Sequence, residues 1–319
     1  MDSITQAALG AAIGQATLGK RIGGKAALAG ALVATIPDLD VFLRVFYSSY
    51  DMLRIHRGIS HSLLFGVLGA LLLSVIFQRF KLFKPISLLR LWWFNALCMV
   101  THTLLDYCTS YGTQLFLPFS DVRLGLDIVN VVDPVYTIPL LLGTLGGLFI
   151  PKLKPYMYRW NAIGLTVSSC YLIFTFGVKM EMDKRLSHDL ESEKILAKNI
   201  LTMPVGVGSL NWYGIATADE GIYMKHYALF GEPFQSFQYF PQNDSLLNRL
   251  EPQVAETMRW FAKGFFTVET VGDTIRVYNL QVDMRGMMLD RNPPAPTHGF
   301  FEFKPLADGS YDYGYGNMN

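Results

Sequence analysis

The first 178 residues contain no glutamate and only eight aspartates, and they are divided into apolar runs of membrane-spanning length. Few folds are open to such a chain. A bilayer core about 30 Å thick takes about 20 apolar helical residues, and the runs 63–77 (extendable at both ends), 131–150 and 161–178 suit it. Residues 91–107 are also long enough, but carry His102 and Asp106 in their second half, where ionisable groups are costly unless buried and used. The runs 4–18 and 26–36 are shorter and rich in Gly and Ala, which suits closely packed helices or a hairpin that enters without crossing. The expectation is a polytopic α-helical membrane domain of about six apolar helices over residues 1–178, the first two short or re-entrant.

Charge follows the same division. Residues 1–178 carry 14 Lys/Arg against eight acids, and residues 179–319 carry 13 against 18. Of all side chains 17% are charged and 51% hydrophobic, whereas soluble domains carry about 25% charged residues. That apolar content excludes disorder. A net charge of +1 without a long basic run speaks against nucleic acid as the main partner. Lys20, Arg21 and Lys25 fill one inter-helix loop, Arg79, Lys81, Lys84 and Arg90 a second, and Lys152, Lys154 and Arg159 a third. All three loops are expected on the cytoplasmic side. Threading six crossings through them puts residues 37–61, 108–130 and everything after 178 on the opposite side, together with the rare acids and histidines. Arg44, Arg54, Arg57 and Arg123 lie among those acids, where they can pair with carboxylates or with an anionic substrate. Cys98, Cys108 and Cys170 offer neither a disulfide framework nor a Cys-based zinc site. The opening Met1-Asp2-Ser3-Ile4-Thr5-Gln6 lacks a basic n-region, so the first apolar run is expected to be retained.

After residue 178 the period changes. Residues 179–200 read as an amphipathic connecting helix through Met182, Leu186, Leu190, Ile195 and Leu196. Residues 201–319 then read as a small soluble α+β domain, mostly antiparallel. Its hairpin signals are 210–216 with 222–230, 265–271 with 274–280 across Gly272-Asp273, and 299–305 with 311–315, with helical spacing over 246–263.

Three clusters carry chemistry. In His56-Arg57-Gly58-Ile59-Ser60-His61-Ser62 a glycine turn lets two imidazoles converge just before an apolar helix, for which Ser60 can serve as N-cap. In Thr101-His102-Thr103-Leu104-Leu105-Asp106 a His and an Asp share one helical face at i and i+4, a spacing that can ligate one divalent ion. Pro37-Asp38-Leu39-Asp40 adds two carboxylates at the end of an apolar run. Together His56, His61, His102, Asp106 and Asp38 supply N and O ligands on one expected face. The catalytic candidates are Asp38 and Asp40, which would share base and ligand duties, and Arg57. Arg57 and Arg123 are candidates to hold a phosphate. No Gly-x-Ser-x-Gly elbow, His-Glu-x-x-His helix or Walker loop offers another route.

At these residues the chain resembles the YdjM-like family of membrane-bound metal-dependent hydrolases, also described as LexA-binding, inner-membrane-associated hydrolases. The resemblance runs through Met1 to Gln6 with Gly10 and Gly14, Pro37 to Asp40, His56 to Ser62, and His102 to Asp106 with Thr109. It continues in Tyr111-Gly112-Thr113 and Leu117-Pro118-Phe119-Ser120, and the C-terminal region is similar to that of longer members. It implies a location in the bacterial inner membrane, where the loop charges put the site and C-terminal domain on the periplasmic side. It also implies a hydrolase with zinc as the expected ion and manganese or iron as alternatives. More remotely the motifs look like the zinc-dependent phospholipase C and single-strand nuclease group, which points by analogy to a phosphoester or lipid-linked substrate. Many members carry His where this chain has Gln6, so Gln6, with Thr109, is expected to contact substrate or a water instead. The alternative is a non-catalytic membrane protein with a structural metal site that binds a protein partner through residues 201–319.

Overall fold

The computed structural model describes residues 1–150, 156–219, 221–230, 236–281 and 299–317. Lys152, Lys154 and Glu220 lie outside the described residues. The chain divides into two compact units, one comprising Met1–Val45 and Ile55–Thr175, the other Phe46–Arg54 and Phe176–Asn319.

In the first unit, α1 (Ser3–Ile22) and α2 (Lys25–Ala34) form a tight helical hairpin. Their glycines set the separation: a Cβ on Gly30 would lie 1.9 Å from the carbonyl oxygen of Gly10, and one on Gly14 2.0 Å from that of Ala26. Only hydrogen at these positions lets the backbones meet. Asp2 caps α1 by accepting from the amides of Ile4 and Thr5. A 3₁₀ segment, Pro37–Val45, follows α2 at a bend of 52°. After α3 (Asp51–Ile55), which belongs to the second unit up to Arg54, a 3₁₀ turn, Ile59–His61, leads into α4 (Leu63–Phe77). The N-cap of α4 is Ser62, which accepts from the Phe65 amide, rather than Ser60. α5 (Leu88–Tyr107) packs on α4, and α6 (Pro134–Phe149) packs on α1. α7 (Met157–Ser192) begins in this unit and ends in the other.

Polar contacts pin the apolar helices where water is absent. Asn95 on α5 donates to Ser74 on α4 at 2.9 Å, Thr144 on α6 donates to Asn161 on α7 at 2.9 Å, and Tyr171 donates at 2.7 Å to Asp133, the N-cap of α6. Each bond replaces hydration that a bilayer cannot supply.

Six crossings are not what these helices provide. Among the described residues two helices, α5 and α7, are long and apolar enough to cross a membrane, and the number rises to four if α2 with Pro37–Val45 and α3 through α4 each count as one broken span. α1 has 20 residues but is too polar, carrying Thr5, Gln6 and Gln15, while α6 has only 16 residues. The α1–α2 turn, with Lys20, Arg21 and Lys25, meets the α6 end and the α7 start at one end of the unit. Lys20 lies over the Tyr158 ring at 5.0 Å, and Gly24 abuts Leu148. The opposite end holds Asp106, bonded to the Met1 amine, and Val131, bonded to the Asp2 amide.

In the second unit the expected hairpins are present as two four-stranded antiparallel meanders. The first is β1 (Asn199–Val205), β2 (Asn211–Thr217), β3 (Ile222–Ala228) and β4 (Gln238–Phe240). The second is β5 (Phe266–Val271), β6 (Thr274–Asn279), β7 (Gly299–Pro305) and β8 (Tyr311–Asn317). The β5–β6 turn is the two-residue Gly272-Asp273, with Gly272 at φ +62°. Met203, Ile215 and Met224 of one sheet share a core with Tyr278 and Phe300 of the other. On the first sheet's other face Met182, Leu186 and Leu190 of α7 cover Trp212 and Tyr227.

Two expectations change here. Helix continues from the apolar stretch to Ser192 without a break, and residues 199–205 form a strand rather than the end of an amphipathic helix. The helical spacing over 246–263 becomes a 3₁₀ turn (Asp244–Arg249) and α8 (Pro252–Ala262), because Pro252 can only start a helix and holds Glu251 extended. Trp212 is fully buried between α7 and the first sheet. Trp212→Ala is expected to destabilise the unit by about 3–5 kcal/mol, read as a lowered unfolding midpoint.

Candidate metal centre

Two breaks in helical backbone and one continuous helix build the site. Irregular backbone is tolerated at membrane depth only where protein or a cavity satisfies it, and both breaks deliver side chains to one point. The bend after α2 delivers Asp38, the turn before α4 delivers His61, and the last turns of α5 deliver His102 and Asp106.

These four residues offer ligand atoms all within 4.8 Å of one another. The Nε2 atoms of His61 and His102 are 3.1 Å apart. His61 Nε2 lies 3.3 Å from both Asp38 Oδ1 and Asp106 Oδ2, while His102 Nε2 lies 3.5 Å and 3.7 Å from the same two oxygens. Nitrogen and oxygen ligands about 2.0–2.1 Å from a tetrahedral zinc ion stand about 3.3–3.4 Å apart. These five separations bracket that value.

Hydrogen bonds fix how the two imidazoles are turned. His102 Nδ1 donates to the Ala34 carbonyl at 2.6 Å, which turns Nε2 toward the cluster. The Ser60 hydroxyl donates to Asp40 Oδ2 at 2.7 Å, so it accepts from His61 Nδ1 at 2.9 Å, and His61 Nε2 also faces the cluster. Two imidazole nitrogens and two carboxylate oxygens therefore converge. Arg57 Nε comes within 3.2 Å of Asp106 Oδ2 without aligning as a hydrogen bond, and that buried oxygen has no hydrogen-bond donor. A proton on one nitrogen would relieve one repulsion, whereas a divalent cation satisfies all four acceptors. The donor set fits such an ion.

Other candidates surround these four. His56, expected among the ligands, is not brought to them: its Nδ1 faces Asp40 Oδ1 at 2.8 Å, and its ring is 30% exposed. Asp40 also accepts from the Arg57 amide at 3.3 Å. It thus orients His56 and, through Ser60, His61. Gln6 donates from Nε2 to the His102 carbonyl and to Asp106 Oδ1, and its buried Oε1 has no partner. Thr109 accepts from Arg57 Nη1 at 2.9 Å and donates to the Asp106 carbonyl. Arg57 is held at φ +59°, a left-handed conformation uncommon for a residue with a Cβ and concentrated at functional sites. Its guanidinium stacks on the Tyr111 ring at 4.5 Å, and Arg123 stacks on the same ring at 4.7 Å. Burial pulls the Arg123 guanidinium down to about 10, and neighbouring Arg57 adds to that shift. No spacing rule marks Tyr111, Ser60 or the Ala34 carbonyl for these roles.

Partners that orient ligands tune affinity. Gln6→Ala and Asp40→Asn are each expected to weaken metal binding about 10- to 100-fold without unfolding the chain, measured by competition with a chromogenic chelator.

The chain matches the family model for the YdjM inner membrane protein over residues 1–182. It is 29% identical over 199 residues to the uncharacterized protein YfhP of Bacillus subtilis, an overlap covering 60% of this chain and 57% of that relative. It is 35% identical over 122 residues to the inner membrane protein YbcI of Escherichia coli, covering 38% of this chain and 69% of YbcI. The chain thus spans little more than half the length of YfhP. No solved structure matches it. Since the matched region contains both backbone breaks and all four converging ligands, the chain belongs to the YdjM inner membrane protein family.

Proposed function

We propose that this protein is a metal-dependent hydrolase of the bacterial inner membrane that cleaves a phosphoester, carried on a lipid-linked or small-molecule substrate. One observation carries the reading: Asp38, His61, His102 and Asp106 present two imidazole nitrogens and two carboxylate oxygens to one point. These residues would hold the ion, with zinc the best match to their N and O donors and manganese or iron as alternatives. When bound, the ion supplies Lewis acidity and lets a water be deprotonated near neutral pH.

The chain's own residues supply the rest. Asp38 is the most exposed of the four ligands and faces an incoming substrate. Arg57 is anchored through Nε and Nη1, while its Nη2 carries no protein partner among the described residues and is free to bind an anionic oxygen. Arg123, stacked across Tyr111, adds positive charge. His56, with Nδ1 held by Asp40 and its ring partly exposed, can exchange a proton through Nε2 with water or a leaving group. The site end lies away from Lys20, Arg21 and Lys25, and we place it on the periplasmic side because basic loops stay cytoplasmic.

The test is full-length protein in mild detergent, loaded with zinc and assayed on bis-p-nitrophenyl phosphate, p-nitrophenyl phosphate and phosphatidic acid. Turnover that disappears in a folded His102→Ala, Asp106→Ala double variant supports the reading. Stoichiometric metal with no turnover on any of the three favours the structural-site alternative.

A further inference from the structure

At the end of the first unit opposite the ligand cluster, α6 and α7 part to leave an apolar groove of about 540 Å³. Leu142, Gly146, Phe149, Trp160, Ile163 and Val167 are among its walls. Leu142, Phe149, Ile163 and Val167 face outward, on the surface that a membrane protein presents to lipid. The groove reaches Trp160, next to Arg159, whose guanidinium lies over the rings of Tyr156 and Tyr158 at 5.6 and 5.7 Å. Lys20 lies over Tyr158 as well. Cations and aromatic rings of this kind mark the headgroup level of a bilayer.

Charge decides what fills the groove. Among the described residues Lys20, Arg21, Lys25 and Arg159 form no ion pair with any carboxylate, and the unit's acids lie outside this end. An acyl chain alone would leave this cationic end unbalanced. A second protein copy would bring the same cations against it.

We propose that the α6–α7 groove is a binding site for an anionic phospholipid, with an acyl chain along Leu142, Ile163 and Val167 and the phosphate near Arg159 and Lys20. This site is separate from the metal cluster and stands whether or not that cluster hydrolyses anything. Its headgroup selectivity is electrostatic, at about 1 kcal/mol per Lys or Arg near the surface, so two cations predict about a 10- to 30-fold preference over a zwitterionic lipid.

Trp160 is a built-in reporter. Full-length protein is placed in phosphatidylcholine nanodiscs containing brominated-chain phosphatidylglycerol or, in parallel, brominated-chain phosphatidylcholine at equal mole fraction. The Trp160 contribution is isolated by subtracting a Trp160→Phe variant. Quenching by the brominated phosphatidylglycerol is expected to saturate at about 10- to 30-fold lower mole fraction than by the phosphatidylcholine. A Lys20→Gln, Arg159→Gln variant is expected to lose that preference while folding normally, since both side chains lie at the exposed helix ends. Ile163→Phe, which fills groove space without adding a second reporter, is expected to weaken saturable quenching. Equal quenching by both lipids, a preference that survives the double variant, or no quenching by either would each overturn the proposal. The last result would mean that protein covers the groove.

Discussion

Gly30→Val is expected to prevent the membrane unit from folding. A Cβ at that position would sit 1.9 Å from the Gly10 carbonyl oxygen and 2.7 Å from its carbon, and backbone atoms in a packed helix pair have nowhere to go. Separating α1 from α2 also moves Ala34, whose carbonyl fixes the His102 tautomer, so the metal centre is disrupted with the hairpin. The cost is about 3 kcal/mol or more from overpacking, before the loss of helix contacts is counted. Size-exclusion profiles in detergent should show aggregated material, with little folded protein recovered. Gly177→Ala is the control: a Cβ there meets nothing within 4 Å. That variant is expected to match the parent or to gain up to about 1 kcal/mol from better helix propensity.

The second large effect separates two histidines that the sequence presents as equivalent. His61→Ala removes a ligand nitrogen that faces three of the other acceptors, and it is expected to abolish both metal binding and turnover. His56→Ala leaves all four ligands in place. It is expected to keep its metal while losing about 10²- to 10⁴-fold in turnover, the range ordinarily contributed by a positioned acid or base. The pair is read by metal content and initial rate on the same preparations. Equal metal loss in both variants would return His56 to the ligand set.

Local spacing made some of this legible in advance. His102 and Asp106 share a helical face by the 3.6-residue period alone, and the expected pair is realised on α5. The glycine- and alanine-rich runs pointed to closely packed helices or a hairpin that enters without crossing, and Gly10, Gly14 and Gly30 provide the close packing. The β5–β6 hairpin was readable from Gly272-Asp273 between alternating runs. Other features depend on contacts remote in sequence. Nothing near His56 shows that Asp40, 16 residues away, takes its Nδ1, or that Ser60 serves Asp40 and His61 instead of capping α4. Hydropathy counted six apolar runs, but α1 is too polar and α6 too short to cross, and the two helix breaks, on which hydropathy is silent, leave between two and four spans among the described residues while carrying Asp38 and His61 inward. β1 was hidden because Asn199–Val205 follows a helical stretch without a turn signal of its own and includes Pro204.

The central claim is that Asp38, His61, His102 and Asp106 hold a divalent ion. The most direct test is elemental analysis of the full-length protein purified in mild detergent, beside a His102→Ala, Asp106→Ala double variant whose fold is checked by circular dichroism. The prediction is zinc, manganese or iron near one equivalent or above in the parent and none in the folded variant. A parent that carries no metal and binds none when zinc is added, or a folded variant that retains the same metal, would contradict it.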